Sequence, residues 1–282
     1  MIAASRRVFG PVGPAAEQGR VLGLTRAGVW VLLVLAAANG LFLYVFPGRA
    51  DADYAWSIRP AVNAGFIGAG FLAGTLATGL VLQRATRWRS FALLPPALWV
   101  LASALLAATI IHADRFKWDY PPTWLWALVY AGVPLAVPVL AARQRRVAEP
   151  LPAADSALVV LRVLSGITGT ALIVGAAASY VAPVELDEHW PWALTPLLAR
   201  AVAAWYALFG TMLLTLALAL RRRCEGLIGY ATLAAWSVLL LALPLLHPDD
   251  VSGRPGWYAV MVMLLALALY GLTLGWPERQ GL

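Results

Sequence analysis

Residues 60–83 read PAVNAGFIGAGFLAGTLATGLVLQ and contain no charged side chain. At 1.5 Å per residue, an α-helix of this length is about 36 Å long, enough to cross roughly 30 Å of hydrocarbon. Because a backbone in lipid must satisfy its own hydrogen bonds, the segment is predicted to be a transmembrane helix. Two small-residue pairs, Ala61 with Gly65 and Gly70 with Gly74, are each spaced by four residues. This spacing favours close packing against a neighbouring helix.

The rest of the 282-residue chain has the same character: 61% of its residues are apolar, 12% are charged, and its mean hydropathy is +0.76. Soluble domains carry about 25% charged residues, and a globule of this size could not bury so much apolar surface. The composition excludes a water-soluble domain and predicts an all-α, polytopic integral membrane protein. The single cysteine, Cys224, excludes a disulfide framework and a metal site built from several thiolates.

Eight transmembrane helices are predicted from the apolar runs that lie between charged, proline or glycine breaks. They fall at residues 27–46, 60–83, 91–111, 124–142, 158–181, 196–220, 226–246 and 257–276. An even number of spans places both chain termini on the same side of the membrane.

The distribution of basic residues predicts the orientation, because loops rich in arginine and lysine stay in the cytoplasm. Most basic residues fall near the termini and in alternate loops: Arg6, Arg7, Arg20, Arg26, Arg84, Arg87, Arg89, Arg143, Arg145, Arg146, Arg221, Arg222, Arg223 and Arg279. Both termini are therefore predicted to be cytoplasmic, in a plasma membrane or bacterial inner membrane. Since this asymmetry explains the net charge of +7, the partner it indicates is the lipid bilayer and not a nucleic acid.

An internal repeat relates the two halves of the chain. A shift of 136 residues superposes several short motifs, and a shift of 135 superposes a later His-x-Asp motif. The matched residues are Arg26 with Arg162, Tyr44 with Tyr180, Pro47 with Pro183, Trp56 with Trp192, Pro60 with Pro196, Gly74 with Gly210 and His112 with His247. The chain is therefore predicted to contain two tandem four-helix repeats in parallel orientation, at 27–142 and 158–276. A cytoplasmic segment at 1–26, a linker at 143–157 and a tail at 277–282 complete it.

Four residues near the non-cytoplasmic boundary are candidate ligand-binding residues. Trp56 and Trp192 precede equivalent spans and could wall a shared pocket around the pseudo-two-fold axis, although tryptophan also belongs to the interfacial belt. Arg200 occurs in one repeat only; the position 136 residues earlier is an alanine, next to Asn63. A guanidinium there could hold an anionic headgroup or a carboxylate, or could extend to the lipid headgroups.

A second candidate site consists of His112 and Asp114 with His247 and Asp249, which close the third and seventh predicted spans. Imidazole and carboxylate ligands suit zinc, iron or manganese. If the repeat brings the two motifs together, they could bind a divalent metal, and the two histidines could alternatively bridge a haem. The sequence identifies no cofactor beyond these two alternatives.

The predicted spans contain no aspartate, glutamate, histidine or lysine near their centres. Proton-coupled transporters and pumps need such residues, so this class is disfavoured. No nucleotide-binding loop, nucleophile elbow or zinc-protease helix is present, and an enzymatic activity is therefore not indicated. Three functions remain. The favoured one is a non-enzymatic binding or accessory component of a membrane assembly that contains other subunits, with its functional face on the non-cytoplasmic side. The alternatives are a permease for a small or lipidic molecule along the pseudo-two-fold axis and an interfacial metal or haem protein that uses the paired His-x-Asp motifs.

Overall fold

The computed structural model describes residues 19–84, 87–92, 94–146 and 152–275. The predicted segments 1–26, 143–157 and 277–282 lie wholly or partly outside these residues. Within them the chain is helical and forms no named strand. The eight longest helices are α1 (Gly23–Val45), α2 (Ala61–Arg84), α3 (Pro95–Ile111), α4 (Pro121–Arg145), α5 (Val159–Val181), α6 (Pro196–Ala219), α7 (Leu227–Leu246) and α8 (Pro255–Gly275).

Seven of these helices are long and apolar enough to cross a membrane. This finding supports the prediction of a membrane protein. The exception, α3, is apolar but has only 17 residues. Its prediction as 91–111 began too early, because the helix starts at Pro95. Proline is favoured in a first helical turn, where its missing N–H would have no partner in any case, so the consecutive prolines 95 and 96 mark the start.

Helix α4 continues through two internal prolines, Pro134 and Pro138. Pro138 has no N–H to donate to the carbonyl oxygen of Pro134, four residues earlier. The indole Nε1 of Trp99, on α3, donates to that oxygen instead, at 3.1 Å. An unsatisfied carbonyl costs several kcal/mol in hydrocarbon, so the bond from Trp99 offsets the loss of the helical hydrogen bond at Pro138.

The extensive helix–helix interfaces occur in related pairs. Helix α1 packs on α2 as α5 packs on α6, and α3 packs on α4 as α7 packs on α8. Between the halves the packing is crosswise: α3 lies against α6, and α7 lies against α2. The third long helix of each half therefore packs against the second long helix of the other half.

Individual hydrogen bonds recur at positions related by the same sequence offsets. The hydroxyl of Tyr44 donates to the Leu239 carbonyl at 2.9 Å, and that of Tyr180 donates to the Ala104 carbonyl at 2.6 Å. Among the loops, the Lys117 amide donates to the Ala55 carbonyl at 3.0 Å, and the Ser252 amide donates to the Pro191 carbonyl at 2.7 Å. Both pairs join elements in the same relative places of the two halves.

The loops meet at two ends of the bundle. We call the end formed by residues 46–60, 112–120, 182–195 and 247–254 the histidine end. The arginine end contains residues 19–22, 87–92, 144–146, 152–158 and 220–226. Contacts within the arginine end include the Gln144 Nε2 bond to the Arg20 carbonyl at 2.6 Å and the Asp155 amide bond to the Arg221 carbonyl at 3.0 Å.

A buried ion pair joins the two halves at the arginine end. Arg89 donates through Nε and Nη2 to one carboxylate oxygen of Glu225, at 3.0 and 2.7 Å. The other carboxylate oxygen accepts from the backbone amides of Arg221 and Arg222 at 2.8 and 3.2 Å. The Arg89 side chain is 16% exposed and that of Glu225 is 6% exposed.

The small-residue face of α2 packs within the chain. A Cβ atom placed on Gly70 would lie 2.6 Å from the Trp205 ring on α6, and one on Gly65 would lie 2.6 Å from Leu243 on α7. Trp205 is itself 3% exposed. Helices α2 and α6 therefore meet in direct contact where the predicted pseudo-two-fold axis would run.

Candidate functional site

Two aromatic clusters lie at the histidine end, one in each half. Trp56 packs against Trp126 with ring centroids 4.6 Å apart, and Trp192 packs against Trp257 at 5.4 Å. In both halves the second tryptophan comes from the start of the last long helix. Trp56 and Trp192, predicted to share a pocket, are thus buried in separate clusters, and Phe66 on α2 also contacts the cluster of Trp192.

Trp192 and Asn63, by contrast, are in direct contact across the halves. The indole Nε1 of Trp192 donates to Asn63 Oδ1 at 2.9 Å. The Asn63 amide nitrogen donates to the carbonyls of Ala193 and Arg59, at 3.0 and 3.1 Å. Asn63 is 1% exposed, and its Oδ1 and both of its side-chain N–H groups are hydrogen-bonded. It therefore fixes the loop before α6 onto the start of α2.

Arg200, on α6, lies between the ends of α3 and α5. Its Nη1 lies 2.8 Å from Nε2 of His112, the residue that follows α3. Its guanidinium carbon stands 5.8 Å from the centroid of the Tyr180 ring, which is within the range of a cation–π contact. The Arg200 Nε is buried without a hydrogen-bond partner. Within the part of the chain that the structure describes, no carboxylate forms an ion pair with this guanidinium.

His112 is suited to accept from this cation. Burial, followed by the positive charge of Arg200, lowers the pKa of His112 below its usual 6.5, and Asp114 opposes the shift while Arg115 adds to it. A neutral imidazole with its proton on Nδ1 presents a lone pair on Nε2 to the arginine. The pair therefore has one positive charge near neutral pH, and that charge lies on Arg200.

This arrangement predicts a loss of stability on acidification. In the unfolded chain His112 takes up its proton near pH 6.5, whereas in the folded protein it does so only at a lower pH. Below about pH 6.5 the unfolded state binds more protons, so protonation favours unfolding. We expect the thermal midpoint of the purified protein to decrease as the pH is lowered from about 7.5 to about 5.5.

In the variant His112→Gln the amide oxygen can still accept from Arg200, but the side chain does not titrate. Its thermal midpoint should fall less over the same pH range. Equal slopes for the wild type and the variant would contradict this assignment of the titrating group.

The two predicted metal-binding motifs lie in different surroundings. His112 contacts Arg200, whereas His247 lies beside α2, with its Nδ1 3.9 Å from Asp250. Asp114 is 72% exposed and pairs with the neighbouring Arg115. Among residues 19–84, 87–92, 94–146 and 152–275, no three histidine, cysteine, aspartate or glutamate side chains form a group that could hold a metal ion. A metal ion or haem bound by His112, Asp114, His247 and Asp249 stays a prediction.

Tyr180 is the contributor to the Arg200 site that the sequence did not identify as such. Its match to Tyr44 marks both as repeat residues, but nothing in the spacing indicates that one of them lies under a guanidinium.

Comparisons of this chain with protein-family models, curated proteins and solved structures find no match.

Proposed function

We propose that the protein crosses the membrane eight times, as two tandem four-helix repeats in parallel orientation, with both termini cytoplasmic in a plasma or bacterial inner membrane. At 17 residues, α3 is about 25 Å long, at the lower limit for a span. The recurring tyrosine and loop hydrogen bonds support the repeat. Eight arginines lie in the segments of the arginine end and four in those of the histidine end, which supports a cytoplasmic location for the arginine end.

We further propose that the protein is a non-enzymatic binding component of a membrane assembly, and that it binds a carboxylate or phosphate group at Arg200. The main support is the state of the Arg200 guanidinium. It is half-buried, it has no carboxylate partner among the described residues, and its buried Nε makes no hydrogen bond. A guanidinium binds carboxylate and phosphate oxygens through charge-assisted hydrogen bonds, so an anion bound at the partly exposed Arg200 side chain would supply the negative partner that it lacks among the described residues. Since the arginine end is placed in the cytoplasm, this group would be bound on the opposite side.

A binding role is supported over a permease because the axis is occupied by protein atoms. Conduction there would require α2 and α6 to separate, since the Gly70 backbone lies against the Trp205 ring. The eight long helices also contain no aspartate, glutamate, histidine or lysine. A bound anion needs neither a path through the bundle nor a proton relay.

The proposal is tested with soluble anions. Inorganic phosphate, glycerol 3-phosphate and succinate are titrated at constant ionic strength into the purified protein, and the thermal midpoint is followed. We expect at least one of them to raise it. In Arg200→Gln the apparent affinity should fall about tenfold to a hundredfold, because hydrogen bonds to charged groups contribute about 1.5–3 kcal/mol.

Arg115→Gln is the matched control. It removes the same charge from the same end, at a side chain that is 72% exposed, and it should bind the anion as the wild type does. An equal loss of affinity in both variants, or no response of the wild type to any of the three anions, would refute a site at Arg200.

A further inference from the structure

A cleft of about 450 Å³ opens between α5, α6 and the start of α8, near the histidine end. The cleft walls are mainly apolar, and α5 supplies one of them through Ala171, Leu172, Gly175 and Ala176. Trp190 and Trp257 close its inner side, and Arg254 lies at the end nearest the loops. The volume is within the range of about 300–1,000 Å³ that is typical of small-ligand pockets. This cleft is separate from the residues that surround Arg200.

Two polar groups on the residues that line the cleft lack a hydrogen-bond partner, the indole Nε1 atoms of Trp190 and Trp257. Trp190 is 8% exposed, and its indole Nε1 is buried without a hydrogen bond. A tryptophan buried in this way normally donates its N–H to an acceptor. The lining of the cleft therefore contains indole donors that no protein acceptor among the described residues satisfies.

The equivalent place in the first half already has an internal acceptor. Under the 136-residue offset of the proposed repeat, Trp190 corresponds to Tyr54 and Gly175 to Asn39. There the Tyr54 hydroxyl donates to Asn39 Oδ1 at 3.2 Å. In the second half glycine has replaced the acceptor, and a Cβ atom placed on Gly175 would meet no atom within 4 Å. The same replacement removes the partner of the aromatic donor and leaves the space open.

We propose that this cleft binds a phospholipid with an anionic headgroup, one acyl chain lying against α5 and the headgroup oxygens reaching Trp190 and Arg254. The apolar walls suit a hydrocarbon chain. The polar groups named here, two indole N–H groups and the side chain of the exposed residue Arg254, are all donors, which suits phosphate oxygens. Their position at the histidine end corresponds to the headgroup region of the membrane in which the protein is proposed to lie. The lipid site thus rests on the proposed membrane insertion and repeat register, but not on anion binding at Arg200.

The test uses phosphatidylglycerol with a photoreactive diazirine in its acyl chain, in nanodiscs that contain the full-length protein. After irradiation, labelled peptides are identified by mass spectrometry. In the wild type we expect labelling concentrated on residues 171–179 and 254–260. Gly175→Leu, which places a side chain in the open space, should reduce this labelling at least fivefold. Gly175→Asn, which copies the first half and gives Trp190 an acceptor, should also reduce it.

Gly79→Leu is the matched control, since a Cβ atom at Gly79 also meets no atom within 4 Å but lies outside the cleft. It should leave the labelling pattern unchanged. Competition with unlabelled phosphatidylglycerol and phosphatidylcholine reports headgroup preference, which Arg254→Gln should reduce about fivefold, as expected for one cation near a membrane surface.

Even labelling of all lipid-facing helices, or equal labelling of residues 171–179 in the wild type and Gly175→Leu, would overturn the proposal. Arg200→Gln separates this site from the proposed function. It should lose binding of the soluble anion while the lipid labelling persists, so either proposal can fail without the other.

Discussion

Glu225→Gln is expected to lower the free energy of unfolding by about 3–5 kcal/mol, the largest effect that we predict for one substitution at the arginine end. The amide has nearly the shape of the carboxylate, but it removes the negative charge that lies 2.7 Å from Arg89, whose side chain is 16% exposed. An uncompensated buried charge is far more costly than the loss of one neutral hydrogen bond. The change is measured by denaturant or thermal unfolding of the purified protein.

The double variant Arg89→Met with Glu225→Gln separates charge from shape. It removes the Arg89 cation together with the Glu225 charge, and keeps an amide oxygen for the backbone N–H groups of Arg221 and Arg222. It should therefore recover at least half of the lost stability, since apolar replacements of buried ion pairs are often close to neutral. Asp155→Asn, in the partly exposed pair with Arg223, should cause a much smaller change. A double variant less stable than Glu225→Gln would contradict the argument.

The positions of the helices could be predicted from the sequence because the bilayer limits both their length and their composition. The segment 60–83 became Ala61–Arg84, and the start of α3 was misplaced only because the prolines that begin it follow an apolar stretch. The crosswise packing of α3 on α6 and of α7 on α2 was not predictable in this way. In a span that is apolar all round, hydropathy gives no information about which neighbour lies on which face.

Predictions about the candidate site were limited for a related reason. Trp192 and Asn63 were both candidate ligand-binding residues, and the structure places them in contact with each other. Their separation by 129 residues carries no signal of that contact. Arg200 stood out in the sequence because its repeat position holds an alanine, but its contacts with His112 and Tyr180 depend on how the two halves pack. Under the repeat offset Asn39 corresponds to Gly175. This difference became informative only once the surroundings of Tyr54 and Trp190 could be compared in the structure.

Gly70→Val is expected to destabilise the protein by about 1–3 kcal/mol, the usual cost of forcing extra atoms into a packed interior. A Cβ atom there would lie 2.6 Å from the Trp205 ring, a rigid group that is 3% exposed and cannot easily move aside. The thermal midpoint of the purified variant measures the effect. Gly79→Val introduces the same β-branched residue into the same helix, where a Cβ atom meets no atom within 4 Å, and should change the midpoint little.

The variant Trp205→Ala tests whether contact with this ring causes the destabilisation by Gly70→Val. Alone it should cost about 3–5 kcal/mol through the cavity that it leaves. Combined with Gly70→Val it should cost less than the sum of the two single changes, because the valine then enters space that the ring has vacated. If Gly70→Val has no effect on stability, then α2 and α6 are not in contact here in the predominant state of the protein. That outcome would favour the permease, which needs these two helices to separate, over the binding component proposed above.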